Sequence, residues 1–233
     1  MESPPGYVSI VFILTTFAAV AFLLQMIKVA GVDRFPSRML IFLLPLALFF
    51  HAILAIGGFY ENENMLPPRL FLCGIFPALL LIVLYFIFFR VTFVERLPLQ
   101  LLTLLHVIRI PVEIVLLWLF LGGQLPQQMT FEGRNFDIVS GILALVVYVA
   151  AFRAAVPKRW LLIGFNFIGL FLLANVVSIA IMSLQSPLQQ IAFDQPTRAV
   201  LFFPYIWLPT IVVPIVLFAH LASLWKLFRG QYR

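Results

Sequence analysis

An apolar stretch of helix length contains the segment HVIRIPVE, which places His106, Arg109 and Glu113 close together. At about 100° per residue, these three side chains occupy an arc of about 60° on one face of a helix. Arginine can bind an anion, a carboxylate can balance it or accept a proton, and histidine titrates near neutral pH. The segment therefore predicts a polar stripe, with Arg109 as the partner of a small polar or anionic ligand and Glu113 as its counter-ion or proton acceptor.

A salt bridge between Arg109 and Glu113 that only fixes the packing of helices is the structural alternative. Pro111 lies between the two charges, removes one amide donor and clashes with the carbonyl of Val107, so we expect a kink with a free backbone acceptor beside it. Buried ion pairs add little net stability, because desolvation can exceed the Coulomb gain. This balance favours a binding site over a purely structural pair.

Two further histidines, His51 and His220, lie in other apolar stretches. At about 1.5 Å per helical residue, His51 is expected at the depth of Glu113, and His220 nearer that of His106. Three neutral imidazoles can bind zinc, copper or iron, and two facing ones can hold a haem. A transition-metal or haem centre on His51, His106 and His220 is therefore the second hypothesis, with Arg109 and Glu113 in support. For each histidine taken alone, a hydrogen bond to a carbonyl is the simpler role.

The composition of the chain requires a lipid environment for these residues. Of 233 residues, 64% are hydrophobic and 10% are charged, which is more apolar side chain than one core of this size can hide from water. Seven apolar stretches of bilayer-spanning length, without strand-like alternation, are predicted at roughly 7–30, 39–60, 70–92, 97–123, 138–156, 160–184 and 200–226. The expected fold class is an all-α integral membrane protein, a single seven-transmembrane-helix bundle that forms one domain over residues 1–233.

Basic residues in the links set the expected orientation. The first, third and fifth links and the C-terminal segment together contain eleven Lys and Arg, whereas the N-terminal segment and the other links contain three. The positive-inside rule then places the N-terminus outside and the C-terminus in the cytoplasm. Arg109 is the one basic residue left over and Glu113 the one acid, so the predicted spans have no other charge away from their ends.

Other polar residues at membrane depth are weaker candidates. Asn166, Asn175, Tyr148 and Thr210 are expected either to join helices by hydrogen bonds or to support the stripe from a second layer. Asp137 suits the N-cap of the fifth helix.

Proline and the outer links add two structural expectations. Pro204, Pro209 and Pro214 recur in the last span and predict a bent helix. The outer links QLPQQMTFEGRNFD and QSPLQQIAFDQPTR mix glutamine, proline and aromatic residues, as in segments that lie at the level of the lipid headgroups.

Several classes of function are disfavoured. The single cysteine, Cys73, cannot form an intrachain disulfide or a Cys-based metal cluster. The net charge of +6 follows the topology and suits anionic lipid, so nucleic acid is not an expected partner. Retinal proteins need a lysine deep in the last span, but Lys226 lies at its cytoplasmic end. Catalysis without a metal has little support.

The sequence thus predicts a multi-pass protein of the lipid bilayer, in a bacterial inner membrane, whose fourth helix lies at the centre of an intramembrane polar cavity. The leading hypothesis is that this cavity binds a small polar or anionic ligand, and that the protein transports or senses the ligand or protons. The metal or haem centre and a structural subunit of a larger membrane complex are the alternatives. The oligomeric state is not predicted.

Overall fold

The computed structural model describes residues 4–61, 65–153 and 157–231. Within these ranges the chain is helical except for turns and one isolated β-bridge between Leu184 and Thr197. The main helices are α1 (Gly6–Ala30), α2 (Phe35–Ile56), α3 (Leu70–Phe88), α4 (Leu99–Leu121), α5 (Asp137–Phe152), α6 (Arg159–Ser183) and α7 (Leu208–Phe228). Six of them are long and apolar enough to cross a membrane, and α5 is shorter, with 16 residues.

The helices follow the apolar stretches of the sequence, with one clear correction. The last span was predicted to begin at residue 200, but α7 begins at Leu208, after a 3-10 turn at Ala199–Leu201 and a non-helical Pro204. Proline lacks an amide donor, so it fits best in the first turn of a helix, where Pro209 lies. Residues 154–156 of the fifth predicted span, and Arg233 among the basic residues, lie outside the described ranges.

Three of the helices are irregular. A π turn opens α3 at Leu70–Ile75, and another opens α7 at Leu208–Val212. In α4, a 3-10 segment at Leu105–Ile108 separates two α-helical parts. This segment lies just before Pro111, whose ring nitrogen cannot donate to the carbonyl of Val107, so the expected irregularity is present.

The bundle buries α4 and α7 most deeply, while α2 and α3 are the most exposed of the long helices. α6 packs between α5 and α7, and α1 packs against α4. Large apolar side chains cover the outside of the bundle, among them Phe42, Phe49, Trp160 and Phe171, each of which is at least 69% exposed. Such a surface is not stable in water but suits hydrocarbon, so this apolar helical bundle is compatible with a multi-pass membrane protein.

The link from α4 to α5 lies only partly on the surface, although its composition suggested a surface segment. Leu125, Met129, Thr130 and Asn135 are buried in it, around a 3-10 turn at Gln127–Met129. α5 is only about 24 Å long at 1.5 Å per residue, so the preceding link can fold into the end of the bundle. Irregular backbone is tolerated at such a depth where protein surrounds it.

The link from α6 to α7 closes over the same end. The hydroxyl groups of Ser183 and Thr197 are 2.6 Å apart, and the amide of Thr197 donates to the carbonyl of Ser183 at 2.7 Å. The amides of Arg198 and Ala199 both donate to the carbonyl of Gln124 at 3.2 Å. The two links therefore form one connected layer over α4.

Candidate functional site

Arg109 lies at the centre of a buried network and is 2% exposed. Its Nε donates to Asp137 Oδ2 at 2.6 Å, and its Nη2 donates to the other oxygen of the same carboxylate and to the carbonyl of Gly169 at 3.2 Å. Its Nη1 donates to Ser140 Oγ at 2.6 Å and to His220 Nε2 at 3.1 Å. A guanidinium has five N–H donors. Each of them has an acceptor within the protein.

Arg109 therefore pairs with Asp137. The salt bridge with Glu113, which was the structural alternative, does not form: the described ranges contain no ion pair between Arg109 and Glu113. The predicted N-cap role of Asp137 is wrong, because Phe136 is the N-cap and Asp137 is the first residue of α5. The Asp137 amide instead donates to Asn135 Oδ1 at 3.0 Å. Its carboxylate, free of a capping role, forms a bidentate pair with the guanidinium.

The network continues from Arg109 through His220. Because arginine can only donate, His220 Nε2 is the acceptor, and Nδ1 must carry the proton that it shares with Asn166 Oδ1 at 2.8 Å. Asn166 Nδ2 in turn donates to the carbonyl of Leu162 at 2.8 Å. The chain of hydrogen bonds thus joins α4, α5, α6 and α7 and assigns a tautomer to His220.

His106 stacks on His220, with ring centroids 3.7 Å apart and planes inclined by 16°. The sequence had placed these two residues at similar depths, and the structure brings them into contact. His106 is fully buried, and neither of its ring nitrogens has a hydrogen-bond partner among the described residues. Phe165 covers it from the side, with centroids 5.5 Å apart.

Glu113 is the other buried acid of α4 and is 1% exposed. Its Oε1 accepts a hydrogen bond from Asn135 Nδ2 at 2.6 Å, and the same nitrogen also donates to the carbonyl of Met129 at 2.9 Å. Its Oε2 is buried without a partner in the described part of the chain. Glu113 is therefore half satisfied, whereas the neighbouring Arg109 is fully satisfied.

A cavity of about 520 Å³ reaches these charged residues. Arg109, Glu113 and Asp137 lie in its wall, and most of the other lining residues are aliphatic. Those residues come from α3, α4, α6, α7 and the two outer links and include Leu79, Leu116, Leu173, Val177, Leu184, Val200 and Leu217. The site is thus a largely apolar cavity with three charged residues in its wall, and not the polar cavity that the sequence predicted.

Two glycines allow the helices to approach closely at this site. A Cβ on Gly169 would lie 2.5 Å from His220 Nε2 and 3.0 Å from Ser140 Oγ. A Cβ on Gly141 would lie 2.7 Å from Ile110 Cγ1. Small residues of this kind let transmembrane helices pack backbone to backbone. Here Gly169 makes room for the imidazole of His220, and Gly141 lets α5 approach Ile110 of α4.

His51 lies apart from the network. Its Nδ1 is 2.7 Å from the hydroxyl of Tyr60, so it pairs with Tyr60 and not with Glu113, the partner that its depth suggested. His51 lines a second cavity of about 690 Å³, together with Cys73, Tyr85 and aliphatic residues of α1, α2, α3 and α7.

A metal or haem centre on His51, His106 and His220 does not fit this geometry. Both nitrogens of His220 already have partners, and the stacked rings of His106 and His220 present faces to each other where ligands would present nitrogen lone pairs. Centroids 3.7 Å apart also leave no space for a porphyrin between two axial imidazoles. Within the described ranges, no cluster of three or more His, Cys, Asp or Glu residues could hold a metal ion.

Of the four weaker candidates, only Asn166 joins the network. Asn175 Nδ2 donates to the carbonyl of Arg134 at 2.7 Å on the exposed side of α6. Tyr148 packs on Phe152, with centroids 5.6 Å apart. Thr210 Oγ1 donates to the carbonyl of Ile206, just before the start of α7, at 2.8 Å.

Sequence reasoning missed Asp137, Ser140, Gly169 and Asn135. Asp137 and Ser140 are 28 and 31 residues from Arg109, so no local spacing connects them. The signal that could have found Asp137 is the shortness of the fifth apolar stretch, because a residue at the start of a short span can lie inside the bundle. Asp137 would then have been expected as a buried acid and as a partner of Arg109.

The fold and the site together define a class: an apolar helical bundle, compatible with a membrane protein, whose interior contains an arginine–carboxylate network. The chain belongs to the DUF8737 family, a domain of unknown function whose family model matches residues 67–228. The matched region contains the whole network and leaves out His51. Comparisons with curated proteins and with solved structures gave no match.

Proposed function

We propose that this protein is a seven-span membrane protein that binds a small amphipathic molecule within the bilayer, in the cavity between α3, α4, α6 and α7. The observation that carries the proposal is the cavity itself. Its volume of about 520 Å³ lies within the usual range for ligand sites, and its largely aliphatic wall contains three charged residues. A molecule with an apolar body and one polar group matches that composition.

The cavity borders the lipid-facing surface. Leu79, in its wall on α3, is 40% exposed, and lining residues of α6 such as Leu170 and Val177 are partly exposed. α6 packs mainly on α5 and α7, while α3 packs mainly on α7. A ligand dissolved in the hydrocarbon therefore has a lateral path between α3 and α6.

The network of Arg109 organises this site. Arg109 has no free donor for a ligand, so its role is to hold α4, α5, α6 and α7 together around the cavity, with Asp137 as its counter-ion. This replaces the role of anion partner that the sequence suggested for Arg109. Transport or sensing would require the cavity to change shape, and the irregular segments of α3, α4 and α7 are the places where these helices deform most easily.

The orientation in the proposal rests on the charges of the links. With α5 counted as a span, the links rich in Lys and Arg all lie on one side, which the positive-inside rule makes cytoplasmic. The N-terminus is then outside and the C-terminus inside. A bacterial inner membrane is the location that such a chain suits.

Photolabelling in lipid nanodiscs tests the binding site. An alkyl alcohol with a diazirine in its chain is expected to label residues of the cavity wall such as Leu173, Val177 and Leu217. Ala180→Phe fills the cavity and should reduce this labelling about tenfold, because a loss of roughly 1.4 kcal/mol of apolar contact has that effect on binding.

The matched control is Ala18→Phe, the same change at an exposed position of α1 away from the cavity. It should leave the labelling of the wall unchanged. If both variants label like the native protein, or if label is found only on outward-facing side chains, the cavity is not a binding site.

A further inference from the structure

The charges around the cavity select the chemical class of its ligand. Resting on the function proposed above, we infer that the ligand is a lipophilic amine: an alkyl or aryl body with a cationic ammonium group that binds the carboxylate of Glu113. Three observations carry this inference, namely the charge balance of the cluster, the saturation of Arg109 and the free oxygen of Glu113.

The charge balance leaves one acid without a cation. Arg109 forms its ion pair with Asp137, and no ion pair of Glu113 occurs in the described ranges. A carboxylate in apolar surroundings without a partner is costly to ionise. A cation delivered by the ligand is therefore the group that the cluster lacks.

The same cluster disfavours an anionic ligand. Arg109 is the one basic residue that lines the cavity among the described residues, and its five N–H donors all have acceptors in the protein. A fatty carboxylate or a phosphate would have to displace Asp137 and would lie beside Glu113, a like charge. Like charges at close range in a medium of low dielectric repel strongly.

Glu113 is also held in position to receive a donor. Asn135 binds Oε1 and is itself anchored on the carbonyl of Met129, so the free Oε2 is the oxygen that remains for a ligand. Glu113 belongs to the cavity wall, so its unpartnered Oε2 is the oxygen that a cationic ligand in the cavity would bind.

The depth of Glu113 favours a free amine over the headgroup of a membrane lipid. Glu113 is eight residues from the end of α4 at Leu121, or about 12 Å along the helix at 1.5 Å per residue. The ammonium of a lipid headgroup would have to leave the interface to reach that level. A small amine with a single apolar body does not have this constraint.

The test compares three photolabels that share one diazirine-bearing dodecyl chain and end in an amine, an alcohol or a carboxylate. In phosphatidylcholine nanodiscs, the amine should label the cavity wall about tenfold more than the alcohol, which corresponds to an interaction of roughly 1.4 kcal/mol, and the carboxylate least. Glu113→Gln keeps the acceptor for Asn135 but removes the charge. It should abolish the preference for the amine, so that amine and alcohol label the cavity wall equally.

The control is Glu132→Gln, which removes the charge of an exposed acid in the neighbouring link. The inference is overturned if amine and alcohol label the native protein equally, a comparison that needs no variant to fold. It is also overturned if excess phosphatidylethanolamine abolishes amine labelling, since the site would then bind a headgroup. Labelling by the alcohol but without preference for the amine rejects this inference alone, whereas no labelling of the wall by any probe rejects the proposed function too.

Discussion

Arg109 shows at the scale of single residues how an ionised side chain is stabilised in a largely apolar bundle. Its five donors bind one carboxylate, one hydroxyl, one imidazole and one carbonyl from three other helices. Charged hydrogen bonds of this kind offset desolvation only when the whole set is present. The pair with Asp137 is therefore the interaction on which the rest of the set depends.

Asp137→Asn is expected to destabilise the protein by about 3–5 kcal/mol, because the guanidinium is left buried without its counter-ion. Reversible unfolding in mixed micelles measures this change in the free energy of unfolding. The double variant Arg109→Gln with Asp137→Asn should recover part of the loss, since neither charge then remains.

Glu132→Gln is the control for this measurement, because Glu132 is an exposed acid of the preceding link and its loss should change the stability by less than about 0.5 kcal/mol. Equal stability of Asp137→Asn and the native protein would show that the ion pair contributes nothing to the fold.

At the scale of elements, Gly169 is a point of close contact of α6 with α5 and α7. The missing side chain leaves room for His220 and Ser140, and the carbonyl of Gly169 accepts from Arg109. The contact therefore depends on a glycine even though glycine weakens a helix.

Gly169→Ala should shift His220 and lower the melting temperature, because the added Cβ would overlap its imidazole. The control lies on the same helix: a Cβ on Gly164 meets nothing within 4 Å. Gly164→Ala should leave the protein as stable or stabilise it by up to about 1 kcal/mol, since alanine is the better helix former. Thermal unfolding of both variants under one condition separates the effect of packing from that of helix propensity. Equal changes in melting temperature for the two variants would contradict the close contact at Gly169.

The elements were largely predictable from the sequence, because apolar length alone identifies a helix that can cross a bilayer. The stripe of His106, Arg109 and Glu113 was also predictable, since helical periodicity relates residues three and four apart. The partners were not. Arg109 contacts Asp137 and His220 across 28 and 111 residues, and such contacts depend on helix packing that no local pattern contains.

The apolar character of the cavity was equally hidden from the sequence. The polar stripe suggested a polar cavity, but almost all polar groups of the network form hydrogen bonds with one another. The groups that remain for contact with a ligand are the aliphatic side chains of the wall and one oxygen of Glu113. Charged residues in a span therefore indicate where a site lies more reliably than they indicate its polarity.

At the scale of the whole molecule, the number of spans decides on which side each link lies. Cysteines introduced at Asp33 and Glu132, both at exposed positions, should react with a membrane-impermeant maleimide from opposite sides of the membrane in a Cys73→Ser background. The cysteine at position 132 should react in intact cells or spheroplasts, and that at position 33 only after permeabilisation. Reaction of both from the same side would reject the proposed topology.

The short separation of Arg109 and Asp137 along the chain also matters during synthesis. At about 5–20 residues per second, the carboxylate follows the guanidinium from the ribosome within roughly 1–6 s, whereas His220 follows after roughly 6–22 s. α4 and α5 can thus enter the bilayer as a hairpin whose two charges already neutralise each other. The later helices would then add only hydrogen bonds to a pair whose charges are already matched.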